Sequence, residues 1–380
     1  LNFFEKINPE LKRLKFKSNK KVFDWKIPLE WNISDAFIQH ISSGKKFAEF
    51  KKNNLHIVGY SIPKNEIIEK KRLLKNIHSL KNQPDSIPYV TSYYKKTWGF
   101  CMSENQKKKL PNGKYKIFIN SNFKKGNLEM SEALLKGKSK KEIFFSTYVC
   151  HPSMANNELS GPVVANALMK YIKETYKKSK YSYRFILLPE TIGSIAYLSK
   201  SQKKLKKNMI AGFNLSCVGD ERSYTQILSR EGDNLADQAL STALFGKKNF
   251  KQFSFLNRGS DERQYCSPKI NLPVTAFYRS KYYKEYHTDK DNFKVVSSKG
   301  LKDSLNVLKK IIDAFELGIY PVATNYCEPN LGKRNLYPTI SMKRNILGHY
   351  VLNDIKIRSD ILAYADGVKN IFQISKIINF

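Results

Sequence analysis

The chain has 380 residues, a length that accommodates one large domain and one or two smaller ones. Hydrophobic residues make up 41% of it, including 23 Phe and 22 Tyr, which excludes a chain that is disordered throughout. The formal net charge is +34 at pH 7, but most of the excess is Lys spread along the chain, so we interpret it as a solvated surface. A basic face for nucleic acid or another acidic polymer stays the alternative.

Neither a membrane segment nor a disulfide framework is indicated. No stretch reaches the roughly 18 apolar residues of a membrane span, and the first thirty residues lack the apolar run of a signal peptide. The 5 cysteines are an odd number, widely spaced and without a CxxC pair, which is typical of reduced thiols. We therefore predict a cytoplasmic protein without membrane contact, and homo-oligomerisation is left open.

The first 140 residues predict a mixed region followed by a small insert. Their patterns indicate a helix around Ile33–Ile41, a strand at 55–62 and a helix at 64–77. From Asp85 onward the sequence changes to short aromatic and β-branched runs, including KYKIFINSNF after a Pro-Asn-Gly turn. We therefore predict an inserted antiparallel β domain over 81–140.

From residue 142 onward, apolar strands alternate with helices. The predicted strands cover 142–151, 182–190, 209–219 and 272–279, and the predicted helices cover 161–176, 192–200, 233–244 and 302–317. Strands buried on both faces and separated by helices favour a mostly parallel sheet covered on both sides. The final part begins with an irregular segment at 321–341, followed by helical patterns at 353–363 and 367–378.

Polar residues follow these strands at the edge where ligands bind in such sheets. They are His151, Glu190, Asp220 and, in the loop after the fourth strand, His287. Alone, each histidine is also compatible with a structural role, and Glu190 with capping of the next helix. In one crevice, they indicate a metal site with Glu190 as general base, since burial raises the pKa of a carboxyl group.

Two further segments supply supporting groups for this site. Asn157 and Glu158 offer oxygen atoms at a loop that leads into a helix. Asp289 and Asp291 follow His287 and are suited to orienting its imidazole.

The order of these motifs resembles the M28-type zinc aminopeptidases. More closely, FSTYVCHPSMANNELSGP, LLPETIGSIAYL, CVGDERSY, GSDERQY and EYHTDKDNF are similar to a bacterial family of aminopeptidase-like proteins called DUF2172 or DUF4910. The resemblance implies an α/β three-layer sandwich with a mostly parallel sheet over 1–80 and 141–320, carrying the insert at 81–140. It also implies a partial winged helix over 321–380 and a connection to polysaccharide biosynthesis.

Three positions depart from the two-metal pattern of that class. Asn157 stands where the resemblance implies a bridging Asp, while Thr191 and Ser216 replace two further acidic ligands. A neutral amide binds zinc poorly, whereas imidazole and carboxylate bind it well. We therefore expect one zinc ion rather than two, held by His151, His287 and an oxygen atom of Asn157 or Glu158. Asp220 is a further candidate ligand.

The resemblance implies hydrolysis of a small aminoacyl, peptide-like or sugar-linked amide. The ammonium of such a substrate needs a carboxylate partner when it is buried, and the candidates are Asp220, Asp261 and Glu285. Three aromatic residues form either a wall over the cleft or the core of the insert; they are Tyr93, Tyr94 and Trp98. The alternatives are a catalytically degenerate protein that binds a ligand or partner, and a nucleic-acid-associated regulator that uses the C-terminal segment.

Overall fold

The computed structural model describes residues 1–336 and 354–380. Within them the chain forms 16 strands and ten α-helices. The strands are β1 (Lys12–Lys17), β2 (Lys21–Val22), β3 (Trp25–Lys26), β4 (Glu30–His40), β5 (Lys46–Phe47), β6 (Lys64–Glu69), β7 (Ile77–His78), β8 (Phe100–Cys101), β9 (Lys114–Lys124), β10 (Asn127–Leu135), β11 (Glu142–Tyr148), β12 (Ser182–Leu188), β13 (Met209–Leu215), β14 (Tyr224–Ile227), β15 (Phe250–Phe253) and β16 (Val274–Tyr278). The helices are α1 (Asn2–Ile7), α2 (Lys70–Leu74), α3 (Glu104–Lys108), α4 (Ser160–Thr175), α5 (Ile192–Asn208), α6 (Leu235–Leu244), α7 (Glu262–Tyr265), α8 (Ser298–Leu317), α9 (Asp354–Ala363) and α10 (Ile371–Ile378).

An eight-stranded sheet forms the centre of the molecule, in the order β1-β10-β12-β11-β13-β16-β14-β15. The central strands β12, β11, β13 and β16 run parallel to one another. They are buried almost along their whole length because α4, α6 and α8 cover one face and α5 and α7 cover the other. The predicted three-layer α/β sandwich with a mostly parallel sheet is confirmed.

A second, antiparallel sheet has the order β5-β4-β9-β6. Three predictions in this region are wrong. The expected helix at Ile33–Ile41 lies within β4, whose inward residues alternate with outward ones, and the expected helix at 64–77 contains β6 and the short α2. The expected strand at 55–62 contains only a 3-10 turn, Asn54–His56, and isolated bridges. Pairing with the long β9 outweighed the local patterns that favoured helix.

The boundaries of this second sheet differ from those predicted for the insert at 81–140. The sheet draws strands from 30–69 as well as β9 from 114–124. Within the predicted insert, β10 joins the central sheet instead, where it pairs with β12 from Ser131 opposite Leu187 to Leu135 opposite Tyr183. The register of β10 therefore ties the end of the predicted insert to the main domain.

The C-terminal segment packs against the α/β domain. Phe372 of α10 is buried in the same core as α6 and α8, and the Asn370 side chain donates a 2.7 Å hydrogen bond to Gln238 Oε1. The predicted irregular segment at 321–341 and the start of the helix at 353–363 fall partly on 337–353, outside the described residues. Across the described parts of the chain, every helix is too short or too polar to cross a membrane.

Candidate active site

A π-helical turn, Ala155–Leu159, leads the chain from β11 into α4 and carries two of the candidate residues. Asn157 and Glu158 on this turn are buried. The Asp291 carboxylate holds the turn, because Oδ1 accepts the Asn156 N–H at 2.8 Å and Oδ2 accepts the Asn157 N–H at 2.9 Å. Single π-turns recur at functional sites, where they present side chains that a regular helix would turn away.

The structure brings the two candidate imidazoles together. The ring centroids of His151 and His287 lie 5.1 Å apart, and Tyr89 contacts both rings edge-on at 5.4 Å. Tyr286 stacks on His287 with 3.9 Å between centroids. Aromatic rings therefore fix the orientation of the imidazole pair.

Two buried atoms, one on this imidazole pair and one on the π-turn, have no hydrogen-bond partner among the described residues. They are His287 Nε2 and Asn157 Oδ1. Burial, together with the nearby His151, lowers the pKa of His287 to about 3, so its imidazole is neutral at physiological pH. A neutral imidazole nitrogen and an amide oxygen without partners are groups that can coordinate a metal ion.

Glu190 lies next to His151 at the end of β12. Its Oε2 is 3.7 Å from His151 Nε2, and its Oε1 accepts a 2.6 Å hydrogen bond from the Ser260 hydroxyl. No side-chain hydrogen bond caps the start of α5, so the capping role considered for Glu190 is not seen. Burial raises the pKa of Glu190, while His151 and the Ser260 hydrogen bond oppose the rise.

Glu158 lies on the opposite side of His151. Its Oε2 accepts the backbone N–H groups of Cys150 and His151 at 2.9 and 2.7 Å, and it is 3.7 Å from His151 Nδ1. The Cys150 thiol is 3.3 Å from the same ring nitrogen. Cys150, His151 and Glu158 place their ligand atoms within 4.8 Å of one another. No motif in the sequence marks Cys150 as a ligand, because a single Cys before a His has no metal-binding spacing.

Hydrogen bonds within the protein occupy the three positions that depart from the two-metal pattern. Ser216 Oγ and the Asn157 amide both lie 2.7 Å from the Tyr148 hydroxyl. Thr191 Oγ1 accepts a 2.8 Å hydrogen bond from Arg263. These contacts satisfy Ser216, Thr191 and the amide nitrogen of Asn157 through groups of the protein itself.

The three carboxylates expected to bind a substrate ammonium are engaged elsewhere. Asp220 accepts hydrogen bonds from Asn156, Ser280 and the backbone of Arg222, and Glu285 pairs with Arg222 at 2.8 Å. Asp261 Oδ1 accepts the Thr191 N–H at 2.8 Å, whereas its Oδ2 is buried without a hydrogen-bond partner among the described residues. Burial and the nearby Glu190 raise the pKa of Asp261 to about 8. The contacts of Asp220 and Glu285 do not support an ammonium site, and those of Asp220 do not support a ligand role.

The three aromatic candidates and the acidic pair are also placed by the structure. Tyr93 lies on Tyr60, 5.5 Å between ring centroids, and is 46% exposed; Tyr94 donates to the Lys26 carbonyl oxygen, away from the imidazoles. Trp98 packs against the core of the second sheet. Only Tyr93 of these three is a candidate for the rim of the cleft.

Asp289 accepts the Ile87 N–H, so the prediction that it orients His287 finds no support.

Four non-glycine residues around this site adopt left-handed backbone conformations. Ser153, Thr191, Cys217 and His287 have φ values of 59°, 64°, 50° and 56°. Each lies in a loop that follows a strand of the central sheet. Such conformations cost free energy and recur at active sites. Nothing in the sequence marks them, because none of the four is Gly or Asn.

Because the buried imidazole of His287 is neutral in the folded protein, we expect the free energy of unfolding to depend on pH. Its folded pKa of about 3 lies below the unfolded value of 6.5, so the unfolded state binds the proton first and stability falls as pH drops below 6.5. Between pH 7 and pH 5 the loss for metal-free protein should be about 1–2 kcal/mol. Urea unfolding of the parent and of His287→Asn at both pH values measures it. The variant should lose less stability; equal losses would contradict the assignment.

Comparison with known proteins agrees with the fold. Residues 1–318 match the family described as a domain of unknown function, DUF4910, and residues 319–380 match a winged helix-turn-helix family. A Clostridium acetobutylicum protein, named as a candidate polysaccharide biosynthesis protein with an aminopeptidase-like domain, is 40% identical over 327 residues, covering 85% of this chain and 74% of its own.

Two solved structures extend the comparison. The crystal structure of a candidate peptidase from Clostridium acetobutylicum has a TM-score of 0.89 and 35% identity, covering 100% of this chain and 85% of its own. A zinc aminopeptidase from Bacillus subtilis has a TM-score of 0.58 and 14% identity, covering 82% of this chain and 86% of its own, which shows a shared fold. The chain therefore belongs to the DUF4910 family and has an aminopeptidase-like fold followed by a winged helix-turn-helix segment.

Proposed function

We propose that the protein is a metal-dependent amide hydrolase that uses one zinc ion. His151 and His287 would hold the ion together with an oxygen atom of Asn157 or Glu158. The proposal depends above all on the buried, partnerless Nε2 of His287, whose ring lies 5.1 Å from a second imidazole. When bound, zinc would polarise the scissile carbonyl and lower the pKa of a water molecule.

Glu190 is positioned to move the protons of this reaction. It would take a proton from the attacking water as the water oxygen bonds to the carbonyl carbon. It would then transfer that proton to the nitrogen of the breaking C–N bond, which leaves as an amine. Its raised pKa suits both steps, because a general base must also release its proton. Ser260 keeps the carboxylate in place through the hydrogen bond to Oε1.

The substrate would be a small aminoacyl, peptide-like or sugar-linked amide. Support for the sugar comes from the name of the Clostridium acetobutylicum relative. A catalytically degenerate binding protein is the main rival proposal, and it is favoured by Asn157, Thr191 and Ser216. The regulator proposal gains little from α10, because Phe372 and Asn370 hold this helix against the α/β domain.

Metal analysis tests the site directly. Protein purified without chelator should contain about one zinc ion per chain, since three donors from the protein are typical of a hydrolytic zinc site. His151→Ala and His287→Ala should each lose the metal. His40→Ala is the matched control, because His40 is also buried but already bonds Ser43 and the Asn112 carbonyl oxygen. A metal-free parent, or loss in all three variants alike, would support the degenerate alternative.

A further inference from the structure

A cleft of about 680 Å³ opens beside Glu190, and its lining does not resemble a site for a cationic substrate. Glu190 and Ser216 contribute to it from the carboxyl ends of β12 and β13. The walls come from two segments, 256–260 and 281–286. These segments bring Arg258, Lys281 and Lys284 to the same cleft, so three cationic side chains accompany the single carboxylate of Glu190.

Lys281 occupies the most defined position among these cations. Its ammonium lies 5.0 and 5.3 Å from the ring centroids of Tyr278 and Tyr282. A Cβ atom at Gly259 would come within 3.0 Å of it, which places the ammonium against the backbone of the opposite wall. Among residues 1–336 and 354–380, no carboxylate lies within ion-pair distance of Lys281. A positioned cation without a counter-ion is suited to an anionic ligand.

The carboxylates that could have favoured an ammonium are absent from the lining of this cleft. Asp220, Asp261 and Glu285 lie outside it and are held by the contacts described above. Glu190 faces His151 and Ser260. A substrate ammonium in the cleft would therefore meet three like charges, whose repulsion grows as water is displaced.

Tyrosines complete the lining. Tyr282 and Tyr286 are 71% and 41% exposed, although each belongs to an aromatic cluster with a neighbouring ring. Exposed aromatic faces beside cations offer stacking surface together with charge recognition.

We propose that the cleft binds a substrate with a carboxylate or phosphate group close to its scissile amide, and that Lys281 determines this specificity. The inference rests on the proposed function only in placing the amide beside Glu190. It differs from the aminopeptidase expectation, because the preferred substrate would carry an anion where an aminopeptidase substrate carries a free ammonium.

Binding tests this specificity without requiring turnover. Isothermal titration of the full chain, as purified, with glutarate and with glycerol 2-phosphate should show binding of at least one anion, and the two arms separate carboxylate from phosphate. Lys281→Met should weaken that binding about tenfold, whereas Lys203→Met on the exposed face of α5 should leave it unchanged. An anion that binds only at the imidazole pair would bind to Lys281→Met as tightly as to the parent. Equal affinities in both variants, or tighter binding of leucinamide than of either anion, would overturn the proposal.

Turnover separates this inference from the proposed function. Glutaryl-p-nitroanilide should be hydrolysed with a kcat/KM about tenfold above that of leucine-p-nitroanilide, and Lys281→Met should abolish the preference. Preference for the leucine substrate would overturn the anionic specificity and leave the hydrolase intact. Lys281-dependent anion binding without hydrolysis of any anilide would support the specificity of the cleft and reject the hydrolase.

Discussion

Replacement of Glu190 by Gln should reduce kcat for amide hydrolysis by about 10²–10⁴-fold. Gln has nearly the same shape, and its carbonyl oxygen can still accept the hydrogen bond from Ser260. It cannot take a proton from water at neutral pH, so the loss should fall on kcat and not on KM. Steady-state kinetics with p-nitroanilide substrates, together with the metal content of the variant, measure the effect.

Glu285→Gln provides a matched control for this experiment. Glu285 lies near the site in sequence, but its carboxylate pairs with Arg222 and does not line the cleft. We expect this variant to keep most of the activity and all of the metal. Full activity in Glu190→Gln, with the metal retained, would remove Glu190 from the mechanism. Loss of the metal in Glu190→Gln would instead make Glu190 a ligand.

The central sheet was predictable because the composition of each strand alone indicates that the strand is buried. Runs such as EIFFSTY and SYRFILL are apolar on both faces, which only a doubly covered sheet accommodates. The second sheet gave no such signal. In β4, Ala36, Ile38 and His40 are buried while their neighbours are more exposed, and this short alternation overlaps with helical spacing. Its strand identity depends on pairing with β9, which is distant in sequence.

The candidate site likewise has a part that was predictable from local sequence and a part that depends on tertiary contacts. Strand ends predicted the convergence of His151, Glu190 and the loop of His287, because carboxyl ends of parallel strands share one edge. Tyr148 and Cys150 could not be predicted as site residues, because their roles depend on side-chain contacts that the spacing of residues in the sequence does not reveal. The acidic candidates illustrate the opposite error, since the sequence shows a carboxylate but not the amides and cations that already engage it.

Asp291 has the largest expected effect on stability, because it links the His287 loop to the π-turn of the candidate metal site. Its carboxylate accepts the N–H groups of Asn156 and Asn157 and the Tyr283 hydroxyl, all within 2.9 Å, and it is buried. Removal of such a carboxylate leaves buried donors without partners, which costs more than the hydrogen bonds themselves contribute.

Asp291→Ala should therefore lower the free energy of unfolding by about 3–5 kcal/mol, since two backbone donors and a phenol lose their acceptor together. The freed π-turn would no longer fix Asn157 beside the imidazoles, so zinc content should fall as well. Urea unfolding at pH 7 and metal analysis measure both effects. Asp291→Asn keeps one acceptor oxygen and should lose about half as much. Asp289→Asn affects the Ile87 amide and a half-exposed ion pair with Lys290, and should change stability by about 1 kcal/mol. If Asp291→Ala has the same free energy of unfolding as the parent, packing alone holds the π-turn, and its link to the His287 loop does not contribute to stability.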